Sequence, residues 1–175
     1  MKLDLRKEFK SFYAPSAKEV QVVDVPPLQF AMLDGQIAPG QAPGSSPAFQ
    51  EALAALYGIS YTLKFISKLR PTDPLDYTVM SLEALWWTEA GAFDITKLEG
   101  WQWRAMILQP AHINAAMLQE ALAQLKKKKD SPALDRLRLE TFHEGLSLQI
   151  MHIGPYATEP ATLDKMRAYA QEHGY

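Results

Sequence analysis

The side chains best equipped for chemistry crowd into two short runs of β-forming residues. Trp86 and Trp87 close Tyr77-Thr-Val-Met-Ser-Leu-Glu-Ala-Leu-Trp-Trp87, while Trp101 and Trp103 open Trp101-Gln-Trp-Arg-Ala-Met-Ile-Leu108. Glu83 stands among them. Indole rings offer flat surface for aromatic or cationic molecules, and a carboxylate beside them offers a counter-charge or a general base for water. Desolvation among aromatic neighbours raises such a carboxylate's pKa unless a cation meets it. The same residues equally suit a sealed core, because tryptophan buries a large area wherever it lands.

Strand alternation sorts the candidates. Tyr77, Val79, Ser81, Glu83, Leu85 and Trp87 share one face, and Thr78, Met80, Leu82, Ala84 and Trp86 the other. The second set is smoother and more apolar, so it is assigned to helices, which directs Tyr77, Glu83 and Trp87 toward ligand. In the neighbouring run periodicity does not decide between the Trp101, Trp103 set and the Arg104, Met106 set; Trp103 and Met106 are placed at the ligand site or its rim.

The elements that must position these residues follow from punctuation. Residues 19–25 and 28–35 read as two strands separated by Pro26-Pro27. Ser46-Pro47 supplies the N-cap and first-turn proline of a helix to about Leu69. Phe49, Leu53, Leu56, Ser60 and Leu63 form its core stripe, and Tyr57, Tyr61 and Phe65 a second one, so this helix is expected to be buried on two sides. The tryptophan runs are expected to pair antiparallel across a long loop, 89–100. Asn114 caps a helix from Ala115 to about Lys127, and the run Lys126 to Lys129 is most simply its solvated end. Strands at 137–142 and 146–153 are expected to form a hairpin through His143-Glu144-Gly145. A last amphipathic helix begins near Glu159 and ends at the Gly174 cap.

Composition bounds the class. The chain has 175 residues, 47% hydrophobic and 22% charged, which fits one globular domain, or two fused half-domains, with a real core. A formal net charge of −2 gives no reason to bind nucleic acid or an anionic membrane. With no cysteine, no signal-like start and no long apolar run, the chain reads as soluble and cytoplasmic. The four histidines lack helical metal-ligand spacing, and neither a phosphate-cradling loop nor a Gly-x-Ser-x-Gly elbow occurs, so no metal and no cofactor are expected.

A weak duplication runs through the chain. Residues 30–35, a proline-containing loop and the helix from Pro47 correspond to residues 149–154, another such loop and the helix from Glu159. A complete second copy would need two strands after residue 174, so the second unit is expected to be truncated.

Residues 52–65, Leu82-Glu83-Ala-Leu-Trp86-Trp87, Trp101-Gln-Trp103, and Glu144-Gly145 through His152-Ile-Gly154-Pro155-Tyr156 together resemble the GyrI-like (gyrase-inhibitor-like) small-molecule-binding superfamily, and within it the stand-alone bacterial branch. The resemblance implies an α+β fold of two pseudo-symmetric βαββ modules, about 20–110 and 111–175 of a single domain, with antiparallel sheets enclosing a ligand cleft and helices outside. It also implies binding of aromatic or lipophilic cationic molecules and, in some members, hydrolysis of cyclopropane-bearing DNA-alkylating toxins, hence toxin resistance. That chemistry needs a stacked flat ring, a donor to its carbonyl and a carboxylate to orient water. Glu83 and Tyr156 are the catalytic candidates. Tyr77, Trp87, Trp103, Met106, Glu140, Phe142 and His152 are the ligand-binding ones, with His152 and Tyr156 placed by pseudo-symmetry at a glycine turn by the cleft mouth. The bland alternatives are core for one tryptophan, solvated charge for Glu140, and a backbone contact for His152. Non-catalytic drug sequestration, a gyrase-interacting inhibitor and a homodimer remain alternatives.

Overall fold

A computed structural model describes residues 2–89, 93–95, 97, 100–128 and 130–175. Parts of the 89–100 loop, and Lys129 at the end of the lysine run, lie outside the described residues. The fold is mixed α+β with two antiparallel sheets. The chain divides into two compact units, Met1–Leu5 with Leu28–Phe142, and Arg6–Pro27 with His143–Tyr175.

In the first unit, β2 (Leu28–Gln36), β3 (Glu83–Thr88), β4 (Trp101–Leu108) and β5 (Arg138–Phe142) form a four-stranded sheet in the order β3-β4-β2-β5. One face of the sheet is covered by α3 (Pro47–Leu69). Ser46 caps that helix by accepting from the Phe49 amide, and Pro47 enters where its missing N–H costs nothing. Its buried stripe is Phe49, Ala52, Leu56, Ile59, Ser60 and Leu63, at helical spacing. The second stripe of Tyr57, Tyr61 and Phe65 is exposed instead. Helical periodicity identified that row, but a single sheet face covers only one stripe, and α4 (Ala115–Lys126) packs elsewhere on α3. Asn114 caps α4 through the Met117 amide at 3.1 Å. A short helix, α5 (Ala133–Arg136), leads into β5.

The run 77–87 is strand only over Glu83–Thr88. Tyr77 makes an isolated bridge with Leu3, and its hydroxyl donates to Gln109 Oε1 at 3.2 Å. Gln109 in turn donates to Ser60 Oγ at 2.9 Å, so this buried polar group is satisfied inside the core.

The second unit contains α2 (Lys10–Tyr13), a two-stranded antiparallel sheet of β1 (Gln21–Val25) and β6 (Gly145–Gln149), and α6 (Glu159–His173); α1 (Leu5–Glu8) begins at the last residue of the first unit's opening segment. Gly174 takes φ 74° as the left-handed cap of α6. The hairpin expected at His143-Glu144-Gly145 is not formed: β5 pairs with β2 and β6 with β1. Gly145 takes φ 73° as the first residue of β6, where the chain passes from one sheet to the other.

Candidate functional site

Register divides the four-stranded sheet into two chemically distinct faces. Directly paired residues share a face, so Ala84, Trp86, Leu33, Gly35, Trp101, Trp103 and Ala105 lie together. They meet α3: Phe49 packs against Trp86 at 5.0 Å and edge-on against Trp103 at 5.2 Å between ring centroids. The opposite face carries Glu83, Leu85 and Trp87 on β3, Gln102, Arg104 and Met106 on β4, Met32 and Asp34 on β2, and Arg138, Glu140 and Phe142 on β5. Toward one end its side chains are sealed, as at Met32 and Met106. Glu83, the register partner of Met106, and Arg104 in the middle of the face are half-buried, and at the other end Trp87 is 39% exposed.

An ion-pair chain crosses this second face. Arg104 grips Asp34 with Nε at 2.8 Å from Oδ1 and Nη2 at 3.2 Å from Oδ2. Arg138 donates to the same Oδ2 at 2.9 Å and, through Nε, to Glu140. Burial pushes the Asp34 carboxyl up, but the two guanidiniums outweigh it and hold the group below the usual carboxylate range. The hydrogen bond to Asp34, acting against burial, holds the Arg104 guanidinium above its usual range, so it is charged at any working pH.

The face is also concave along one diagonal. Arg104 pairs with Asp34 and Phe142 with Leu28, six residues apart on β2, yet the Arg104 guanidinium carbon lies 6.0 Å from the Phe142 ring centroid. Six residues of flat strand span about 20 Å, beyond the combined reach of the two side chains. Only a twisted sheet, saddle-shaped in consequence, brings them together.

Of the residues singled out in the sequence, Glu83, Trp87, Met106, Glu140 and Phe142 therefore share one face, with Met106 only 2% exposed. Trp103 lies on the other face, fully buried beneath α3, and Tyr77 is in the core, where burial raises its hydroxyl pKa well above the usual tyrosine range. His152 and Tyr156 belong to the second unit. His152 Nε2 sits 3.2 Å from the Pro155 carbonyl, which can only accept, so Nε2 carries the proton and Nδ1 accepts from Thr162 Oγ1 at 2.8 Å. That arrangement pins the turn before Tyr156, whose ring is 87% exposed. Asp34 and Arg138 were not identified from sequence; the signal lay in register between strands about a hundred positions apart or less, which no local pattern contains.

Ser67 and His112 are the obvious nucleophilic pair to test, with Oγ 2.7 Å from Nε2. Ser67 gives its one hydrogen to the Leu75 carbonyl at 2.7 Å, so Nε2 must donate to Oγ, and the serine is fully buried. The pair is structural. Burial, aided by Arg70, lowers the His112 pKa. The neutral ring is therefore favoured by folding: its contribution is complete above about pH 6.5, the ordinary value, and is lost progressively as pH falls below it, because the unfolded chain takes up the proton first. His112→Gln is expected to flatten that part of the stability profile in denaturant titrations between pH 5 and 8; an unchanged slope would assign it to other groups.

Among the described residues no cluster of three or more potential metal ligands occurs, and no helix is long and apolar enough to cross a membrane. No protein-family model and no curated protein matches the chain. Solved structures do. An uncharacterized conserved protein from Listeria innocua aligns at 33% identity and TM-score 0.86, covering 99% of this chain and 82% of that one. A structure of a hydrolase from Listeria innocua aligns at 32% identity and TM-score 0.81, covering 99% and 85%. Another hydrolase structure from that organism aligns at 34% identity and TM-score 0.83, covering 99% and 82%.

Proposed function

Since the chain belongs to the same family as these Listeria innocua proteins, among them a hydrolase, we propose that it is itself a hydrolase of flat aromatic substrates, in the stand-alone branch of the GyrI-like superfamily. The observation that carries this reading is the placement of Glu83, Arg104 and Trp87 on one sheet face, with Arg104 diagonal to both and Trp87 exposed at one end. Trp87 offers an indole for stacking, Glu83 a carboxylate to orient water, and the ion-pair chain a polar floor. The substrate class is a strained cyclopropane conjugated to a dienone, as in cyclopropane-bearing genotoxins. Water adds to a ring carbon, the strained carbon–carbon bond breaks, and its electron pair aromatises the dienone to a phenol.

Incubation with a spirocyclopropyl cyclohexadienone, followed by mass spectrometry, is expected to show protein-dependent gain of one water. Saturable quenching of tryptophan fluorescence without that gain would instead identify a non-catalytic binding module for aromatic or cationic molecules, which the exposed Trp87 ring also suits.

A further inference from the structure

Arg104 is half-buried and lies between the sealed and the exposed ends of the face. It pairs with Leu85 on one side and Asp34 on the other, which sets Glu83 and Trp87 on the two diagonals beside it. The hydrogen bonds that fix it use the Nε and Nη2 edge of the guanidinium, both to Asp34. That fork sets the plane of the group and turns the Nη1 edge away from the carboxylate. Asp34 is itself held by Arg138, and Arg138 by Glu140, so the donor is braced from a third strand. A solvated surface ion pair needs no such bracing and contributes little to stability. A fixed donor in a half-buried setting, beside a carboxylate and an indole, is what a site requires where negative charge develops on a bound oxygen.

We infer that Arg104 binds the carbonyl oxygen of the substrate through its Nη1 edge and stabilises the phenolate that forms there, with Asp34 and Arg138 as positioning residues. This rests on the hydrolytic reading and extends it to substrates carrying a carbonyl or phenolic oxygen. The water oxygen bonds to a cyclopropane carbon while its proton passes to the Glu83 carboxylate. The broken carbon–carbon pair flows into the ring, and the charge arrives on the oxygen facing Arg104. Proton return from Glu83 through solvent then completes the phenol, so that one substrate and one water give one product.

The test uses 4-nitrophenol, a flat phenol whose anion absorbs visibly, titrated with the intact protein alongside the dienone assay. Wild type is expected to bind the anion on the order of tenfold more tightly than the neutral phenol, so the bound phenol ionises at lower pH. Arg104→Gln is expected to abolish that preference and to lower kcat for the dienone by about 10²–10³ with little change in KM. Arg104→Lys keeps the charge and an ion pair with Asp34 but not the fork; an intermediate anion preference is expected, and it serves if the glutamine variant fails to fold. Equal anion preference in wild type and both variants, or no binding of 4-nitrophenol by wild type, overturns the inference. Ring opening at the wild-type rate in Arg104→Gln overturns it while leaving the hydrolytic reading intact. An Arg104-dependent anion preference without any ring opening does the reverse.

Discussion

Glu83→Gln is expected to reduce turnover of a spirocyclopropyl dienone by about 10²–10⁴-fold, the range of a positioned general base, while leaving ligand affinity within about threefold. Glutamine keeps the shape of the side chain at the start of β3 and can still hold water by a hydrogen bond, but it cannot accept the proton as the oxygen attacks. Glu83 faces the same way as Trp87 and not toward α3, so the substitution leaves the packed layer of Trp86 and Trp103 untouched. Single-turnover rates report the chemical step, and quenching of the exposed Trp87 reports binding. Wild-type kcat in the variant would remove Glu83 from the mechanism.

The second large effect concerns stability. Trp103 is fully buried between α3 and the sheet, and its ring lies over Gly35, its register partner. A β-carbon added at Gly35 would come 2.2 Å from Cζ2 of that ring, a distance no relaxed side chain tolerates. Trp103→Ala is expected to cost about 3–5 kcal/mol, a melting-temperature loss on the order of 10 °C for a chain of this size. Gly35→Ala is expected to cost about 1–3 kcal/mol, because the indole must be driven out of its place against Phe49. The decisive measurement is the double variant: with the ring gone the new methyl has room, so the combined loss in thermal or denaturant unfolding should fall well short of the sum. Strict additivity would show that glycine is required there for another reason.

Local signals settle the helix caps and the two faces of β3. Ser46 and Asn114 cap the helices they announce, Gly174 closes the last one, and two-residue alternation puts Glu83 and Trp87 on one face and Trp86 on the other. The same alternation separates Trp103 from Met106, three positions along one strand, yet both are buried, Trp103 beneath α3 and Met106 on the opposite face. What sequence did not disclose depends on partners far away in the chain. His143-Glu144-Gly145 has the residues of a tight hairpin, yet pairing of β5 with β2 and β6 with β1 separates the strands it joins. Tyr57, Tyr61 and Phe65 have the spacing of a buried stripe, but exposure depends on what arrives opposite. The brace around Arg104 is drawn from three strands, so its members are unremarkable until the sheet is assembled.

Strand β4 does two jobs at once: its odd-numbered side chains from Trp101 to Ala105 are interior, while Gln102 and Arg104 lie on the opposite face of the sheet. Point changes at Gln102, half-buried and away from α3, can therefore retune what the surface recognises at little cost to the fold, which gives natural variation a cheap route to new ligands. Gain or loss of a single residue within the strand would exchange the two sets, so drift in this segment should proceed by replacement and almost never by change of length.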